Sequence, residues 1–178
     1  MPFHPQHLIA SLRAPSGVGR FRVALSGGVD STVLLYALVS LLKEGLLSVP
    51  IDAIHVHHGL SLNADRWSDH CRSLCESLGI LYREARVVVD RHDKSGLEAA
   101  ARHARYAALE ASMSAETGLL MAHHADDQAE TLLLQLLRGS GPQGLSAMPR
   151  KRRFGSGQLL RPLLDVTRAD ILAWAHSE

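Results

Sequence analysis

The stretch "FRVALSGGVDSTVLLYAL", residues 21–38, decides the fold of this sequence. It begins with an apolar run typical of a strand, passes through two glycines flanked by serines, and continues as a helix from Asp30 to about Glu44. Strand-like runs and helix-like periods alternate in the same way along the chain, which favours a parallel sheet with helices on both faces. We therefore predict an α/β fold with five parallel strands.

The other predicted elements follow from the same patterns. The further strands are "PIDAIHVHH", "ILYREARVVV", "LLMAHH" and "QLLRPLLDV". Helices are predicted from Leu62 to Leu78, from Leu97 to about Thr117, over "DDQAETLLLQLLRG", and after a capping box at Thr167 and Asp170. Residues 140–157, "SGPQGLSAMPRKRRFGSG", read as a long loop. Its basic run, Arg150–Arg153, is either a solvated segment or a contact for the phosphates of a nucleic acid.

Composition excludes several classes of protein. The chain has 178 residues, a formal net charge of +1 and no apolar run near the length of about 20 residues that a membrane span needs. There is no global basic field, and because the N-terminus has no long apolar run we expect no signal peptide. We expect a cytoplasmic protein without membrane contact. Because the chain ends inside a helical pattern, we expect one domain, residues 1–178, of a longer protein; the sequence leaves open a homodimer.

Two cysteines, Cys71 and Cys75, lie four residues apart on a predicted helix. Free thiols in a reducing compartment, wholly or partly buried, explain them best. A zinc or iron–sulfur site would need more ligands than this pair provides.

The segment from Ser26 to Ser31 is suited to a phosphate. It lies at the end of the first strand and opens a helix, whose free N–H groups and dipole favour an anion. Asp30 would repel a phosphate unless a Mg²⁺ ion bridged the two. The alternative is a capped helix after a tight turn, with Asp30 as the N-cap. The segment matches neither a Walker A loop nor G-x-G-x-x-G.

With these residues, Ser26-Gly27-Gly28-Val29-Asp30-Ser31 resembles the SGGxDS loop of the PP-loop ATPases, which have a Rossmann-like fold and split ATP between the α- and β-phosphates. The resemblance implies that this loop binds the two phosphates that leave as pyrophosphate, with Asp30 on Mg²⁺. At the end of the second strand, alternation separates His55 and His57 from His58, which disfavours a three-histidine metal site. We expect the backbone around Val56, with His57, to contact the adenine.

Three more stretches, "HVHHGLSLNADRWSDHC", "GLEAAARHARYAAL" and "AHHADDQAETLLLQLLRGSGPQGLSAMP", resemble the tRNA(Ile)-lysidine synthetases. With the loop, and in the same order, the resemblance covers residues 21–171. It implies that ATP adenylates C2 of the wobble cytidine in an isoleucine tRNA with a CAU anticodon, and that free lysine then displaces AMP. It also implies C-terminal tRNA-binding domains beyond this chain.

The resemblance assigns lysine recognition to Asp127 and Glu130, which lie three residues apart on one predicted helix. The alternative is helix capping, with Asp126 or Asp127 as the N-cap and Glu130 completing a capping box. We expect one of His123 and His124 to line the nucleotide pocket. Arg138 and Arg161 are weaker candidates for contact with the nucleotide or the tRNA.

Arg102 and Arg105 lie on the alanine-rich helix, and we predict that one of them neutralises charge that develops at the α-phosphate or the cytidine. The alternative is a surface ion pair of Arg102 with Glu98, of small value. Two other functions stay open: another PP-loop reaction, either tRNA thiolation or ammonia-dependent amidation, and a module that binds ATP without turnover.

Overall fold

The computed structural model describes residues 2–13, 17–94, 96–139 and 147–177. The strands in these ranges are β1 (Arg20–Ala24), β2 (Ile51–His57), β3 (Leu81–Arg86), β4 (Thr117–Leu120), β5 (Lys151–Phe154) and β6 (Gly157–Leu160). A 3-10 turn, Pro5–Leu8, precedes the helices α1 (Ile9–Arg13), α2 (Val29–Lys43), α3 (Ala64–Leu78), α4 (Leu97–Ala111), α5 (Ala125–Leu137) and α6 (Arg168–Ser177). None of the described helices has the length and apolar character needed to cross a membrane.

The strands form one sheet in the order β3-β2-β1-β4-β6-β5. All neighbouring pairs are parallel except β5 and β6, which are antiparallel. The predicted α/β fold is confirmed, with one strand more than the five expected. Successive strands add to one side of β1 and then continue from its other side at β4, so the chain reverses its order between β1 and β4. In open α/β sheets a ligand crevice forms at such a point.

The additional strand is β5, and it lies inside the segment 140–157 that was predicted to be one continuous loop. It pairs with β6 through the two-residue turn Gly155-Ser156, with Gly155 at φ +54°, a short glycine turn that favours hairpins. Phe154 is buried, while Lys151, Arg152 and Arg153 are exposed. Charged side chains are well suited to an edge strand because they oppose pairing with other chains. Residues 140–146 of the predicted loop lie outside the described part of the chain.

The alanine-rich helix also ends earlier than predicted, at Ala111 instead of about Thr117. Serine and threonine side chains satisfy backbone groups after that point: the Ser112 hydroxyl donates to the Leu109 carbonyl at 2.6 Å, and the Ser114 N–H donates to Thr117 Oγ1 at 3.2 Å. Such local hydrogen bonds compete with the helix and end it.

Apolar side chains cover both faces of the sheet. One face, with Phe21, Val23 and Ala53, packs against α2, in which eight residues are buried. The opposite face, with Ile54, Leu119 and Leu159, packs against Leu109 of α4. Burial on both faces explains the continuous apolar character of the central strands and fixes which strand ends meet at the crevice.

An ion pair lies inside this framework, between β1 and β2. Arg22 donates to the Asp52 carboxylate from Nε at 2.6 Å and from Nη2 at 2.8 Å, and both residues are buried. A third donation, from Nη1, reaches the Ser112 carbonyl at the end of α4. Arg83 approaches the same carboxylate at 3.3 Å from a half-exposed position.

We expect Arg22→Met to lower the free energy of unfolding by about 3 kcal/mol, because it leaves the buried Asp52 carboxylate without its main partner. Urea denaturation followed by circular dichroism measures this change. Arg83→Met is the matched control, since it removes an exposed partner and should cost less than about 1 kcal/mol. Equal losses in the two variants would contradict the central role of Arg22.

Candidate functional site

A cleft of about 290 Å³ lies at the carboxyl ends of the central strands, where the chain order reverses. The turns after β1 and β4 form its polar side, together with side chains from α2, α4 and α5. These polar side chains are Ser26, Asp30, Ser31, His55, His58, Arg105, His123 and Asp127. The opposite side is apolar and is formed by Ile54, Val56, Leu109 and Met121, with Tyr106 beside them. An apolar wall facing convergent polar groups is typical of small-molecule sites.

The turn after β1 is held by its serines. Ser31 Oγ accepts from the Ser26 N–H at 3.2 Å and lies 3.0 Å from Ser26 Oγ, which in turn accepts from the Gly28 N–H at 3.2 Å. Gly27 has φ +85°, and a Cβ atom there would lie 3.0 Å from the Trp67 ring and 3.2 Å from Cys71 Sγ. The turn therefore requires glycine for its backbone conformation and for its close contact with α3.

Asp30 is not the N-cap of α2. The N-cap is Gly28, and no side chain caps this end of the helix. The N–H groups at the start of α2 are thus available to an anion at the cleft. The alternative interpretation of Asp30 as a capping residue is wrong.

The Asp30 carboxylate fits a shared magnesium ion. Its Oδ1 atom is buried and has no hydrogen-bond partner among the described residues, although a buried carboxylate oxygen normally has one. The described residues contain no group of three or more metal-ligating side chains. One carboxylate together with substrate phosphates is a usual way for Mg²⁺ to bind, so the residues present fit the ion only in the company of a phosphate ligand.

The histidines at the end of β2 have separate partners. His55 Nδ1 lies 2.8 Å from the Leu25 carbonyl, and burial lowers the pKa of His55 although this hydrogen bond acts to raise it. His57 Nε2 lies 3.1 Å from Asp65. His57, with Val56 and Gly28, lines an adjoining cleft beside the glycine turn. The three histidines converge on no common metal position among the described residues.

The start of α5 brings acidic groups to the cleft. His124 is its N-cap, and the His124 N–H donates to Asp127 Oδ2 at 2.8 Å, while Asp126 Oδ2 accepts from the Arg168 N–H at the start of α6. His124 Nδ1 lies 3.5 Å from Asp127 Oδ2, and its Nε2 lies 3.9 Å from Asp30 Oδ2. The ring of His124 therefore lies between the two carboxylates that face the cleft.

The predicted capping alternative for this helix is also corrected. Neither Asp126 nor Asp127 is the N-cap, and Glu130 completes no capping box, because the third helical position is Asp127. Glu130 is exposed one turn after Asp127 and does not line the cleft.

Arg102 and Arg105, the two arginines predicted from the sequence, both lie close to the ring of Tyr106. The Arg102 guanidinium lies 4.9 Å from the centre of the Tyr106 ring and donates to its hydroxyl at 3.3 Å. Arg105 lies 5.9 Å from the same ring and lines the cleft, whereas Arg102 does not. The Glu98 pairing considered from the sequence is not among the described ion pairs. Sequence reasoning missed Tyr106, although its position four residues after Arg102 is a usable signal.

Both cysteines are buried free thiols, as predicted. Burial raises the pKa of Cys71 and of Cys75 to about 11. A thiol with so high a pKa is a poor nucleophile and a poor metal ligand at neutral pH. Cys71 instead packs beneath Gly27 and serves the turn.

Comparisons with known proteins agree with this geometry. A family model described as a PP-loop domain matches residues 3–178. The chain is 50% identical over 173 residues to the tRNA(Ile)-lysidine synthase of Pseudomonas fluorescens and 53% identical over 155 residues to that of Xanthomonas campestris. These alignments cover 97% and 87% of this chain but 38% and 35% of the relatives. The chain thus spans little more than a third of the length of the curated relatives it matches.

Among solved structures, the chain is similar to the U34-tRNA thiolase NcsA from Methanococcus maripaludis, with a TM-score of 0.73 and 19% identity. The match covers 97% of this chain and 62% of that one. At this identity the likeness supports the fold alone.

We expect Gly27→Ala to lower the free energy of unfolding by about 2–4 kcal/mol, because it combines an unfavourable φ with contacts against Trp67 and Cys71. Gly45→Ala is the matched control: Gly45 has φ +69° with open space around it, so only the backbone term of about 1–2 kcal/mol applies. Urea denaturation of both variants measures the difference. Equal losses would mean that the contact with α3 does not constrain the turn.

Proposed function

The chain belongs to the PP-loop domain family, and we propose that it ligates lysine to C2 of the wobble cytidine in an isoleucine tRNA with a CAU anticodon, at the expense of ATP. The observation that carries this proposal is the cleft itself, in which the glycine turn after β1 and the Asp127 carboxylate after β4 face one space. The curated relatives named tRNA(Ile)-lysidine synthase support the choice of reaction.

ATP is proposed to bind with its β- and γ-phosphates at the glycine turn. The N–H groups of Gly27, Val29, Asp30 and Ser31 are available to donate to the phosphate oxygens, because α2 begins there without a side-chain cap, whereas the Gly28 N–H already donates to Ser26 Oγ. The adenine lies against Val56 on the apolar wall, with His57 at the adjoining edge. Asp30 would hold Mg²⁺, which supplies positive charge that neutralises the phosphates.

The chemistry consists of two displacements. First, the C2 oxygen of the cytidine forms a bond to the α-phosphorus of ATP, and the bond to the β-phosphate oxygen breaks, releasing pyrophosphate. Second, the side-chain ammonium of lysine gives a proton to water, the resulting neutral amine bonds to C2, and the bond from C2 to the phosphate oxygen breaks, releasing AMP. Both steps concentrate negative charge near the α-phosphate. Arg105, from inside the cleft, and Arg102, which is placed beside it by Tyr106, are suited to stabilise that charge.

Lysine is proposed to bind through its α-amino or side-chain ammonium group at Asp127. The Asp127 carboxylate is already oriented by the His124 N–H, so a cation meets a fixed acceptor. Glu130 is exposed on the next turn of α5, where no helix-capping role accounts for it, and is suited to contact the far end of an extended lysine.

The cysteines argue against a thiolation reaction that uses an iron–sulfur cluster. Cys71 and Cys75 are buried with a raised pKa and serve packing, and the described residues provide no metal-ligating cluster. A module that binds ATP without turnover would leave the oriented Asp127 without a substrate amine. Ammonia-dependent amidation would proceed without tRNA, and the tRNA-dependence of the reaction separates it from lysidine formation.

The edge strand β5 is the proposed contact for tRNA phosphates. Lys151 and Arg153 are exposed on one face of the strand, whereas Arg150 is bound by the Asp165 carboxylate. A formal net charge of +1 gives the whole chain little electrostatic attraction for tRNA. We therefore propose that domains beyond this chain contribute to tRNA binding. Free lysine, ATP and tRNA are all cytoplasmic, and we propose that compartment for the reaction.

We expect Asp127→Asn to raise KM for lysine about 10- to 100-fold, the value of a hydrogen bond to a charged group. Labelled lysine fixed to the isoleucine tRNA in the presence of ATP and Mg²⁺ measures it. Asp126→Asn is the matched control, because this neighbouring carboxylate accepts from the Arg168 N–H at the start of α6 and is not among the residues that line the cleft. Asp30→Asn should abolish pyrophosphate release. If the unaltered protein, at full length, fixes no lysine, the proposed function is wrong.

We expect Lys151→Gln and Arg153→Gln each to weaken tRNA binding and to reduce the slope of log K against log salt by about 1. Filter binding between about 50 and 200 mM salt measures that slope. Arg150→Gln should change it less, because Asp165 already neutralises this guanidinium. Unchanged slopes in the first two variants would place the tRNA elsewhere on the protein.

A further inference from the structure

His123 and Arg161 form a buried contact at the back of the cleft, between the turn after β4 and the residue after β6. Arg161 Nε donates to His123 Nδ1 at 3.2 Å. The same guanidinium donates from Nη1 to the Pro149 carbonyl at 2.7 Å, and only 5% of Arg161 is exposed. These contacts hold the guanidinium in one place, and the imidazole ring of His123 lines the cleft in front of it.

This contact determines where the proton on the ring lies. A guanidinium has donors only, so the Nδ1 atom that faces it must present its lone pair. A neutral imidazole with Nδ1 unprotonated carries its hydrogen on Nε2. Among the described residues, no side chain or backbone group accepts a hydrogen bond from that Nε2 atom.

The charged groups around the ring keep it neutral. Burial lowers the pKa of His123 to about 4, and the positive charges of Arg161, Arg102 and Arg105 act in the same direction. The Asp127 carboxylate opposes them without overcoming them. His123 is therefore uncharged at neutral pH, and it cannot serve as a general base, because its one lone pair is occupied by Arg161.

We propose that His123 is a substrate-binding residue that donates its Nε2–H to an acceptor oxygen of the bound substrate, and that Arg161 is the positioning residue that fixes this tautomer. The proposal rests on the function proposed above. The acceptor belongs either to the nucleotide phosphates or to the carbonyl group of the base that becomes activated. A neutral donor in this place supports developing negative charge without adding a cation beside the site of the lysine ammonium.

The tautomer is tested on the 178-residue chain without any activity. Long-range ¹H–¹⁵N correlation spectra distinguish a protonated from an unprotonated ring nitrogen. We expect His123 to show a protonated Nε2 and an unprotonated Nδ1 from about pH 5.5 to 8. Arg161→Met should raise the pKa of His123, because it removes a neighbouring positive charge. A ring protonated on Nδ1, or one that titrates near pH 6.5 in the unaltered chain, would overturn the proposal.

The contact with substrate is tested by two variants of His123. Glutamine can place an amide donor near the position of Nε2, whereas leucine fills similar space without a donor. We expect His123→Leu to lower pyrophosphate release about 100-fold or more, the usual effect of losing one such donor, and His123→Gln to recover most of it. The dependence of the rate of pyrophosphate release on pH should keep the same shape in His123→Gln as in the unaltered protein. An equal loss of pyrophosphate release in both variants, or a pH dependence that changes shape in His123→Gln, would contradict the role of His123 as a neutral donor.

Binding of α,β-methylene ATP to His123→Leu identifies the acceptor. Weaker binding places it on the nucleotide phosphates, whereas unchanged binding with slow pyrophosphate release places it on the base. If both binding and release are unchanged while the unaltered protein forms lysidine, His123 contacts no substrate. If the unaltered protein forms none, the function proposed above fails, and the ring-nitrogen spectra still decide the tautomer.

Discussion

The close contact of Gly27 with Trp67 and Cys71 is the constraint on which the site depends. It fixes the turn after β1 against α3 and thereby determines where α2 begins and in which direction its first N–H groups point. Because Gly28 caps α2 without a side chain, those N–H groups stay available to a ligand. The buried thiol of Cys71 belongs to this packing and not to chemistry. Because the available donors are backbone N–H groups, the turn tolerates little change at Gly27, which determines the course of that backbone.

Asp126 and Asp127, the two neighbouring acids at the start of α5, make different contacts. Asp126 accepts from the Arg168 N–H and joins α5 to α6, whereas Asp127 accepts from the His124 N–H and faces the cleft. On a helix, adjacent residues point about 100° apart, so one carboxylate contacts α6 while the next lines the cleft. Asp127 therefore both completes the capping box of α5 and lines the cleft, and the N-cap is the histidine before the two acids.

The sequence was sufficient to predict those parts of the site that are local. The strand, the glycine turn and α2 are contiguous, so their order along the chain is enough to place residues 26–31 at one end of the sheet. The contact of Arg161 with His123 joins residues 38 apart, and the Arg22–Asp52 pair joins residues 30 apart. No periodicity encodes such pairs, because they depend on which strands become neighbours. Strand β5 was missed for a different reason: its charged residues are typical of a loop, and only the Gly155-Ser156 turn indicated a hairpin.

The distribution of charge in the cleft suits substrates of opposite sign. Asp30 and Asp127 lie on the side of α2 and α5, with His124 between them, while Arg102, Arg105 and Arg161 approach from the side of α4 and β6. The proposed nucleotide would bring negative charge to this space and the proposed lysine positive charge, so each would find a partner of opposite sign on its own side of the cleft. A protonated His123 would add a fourth cation close to Asp127 and would compete with the lysine ammonium for that carboxylate. Burial and the Arg161 guanidinium prevent this, so the ring contributes a hydrogen bond to the cleft without contributing a charge.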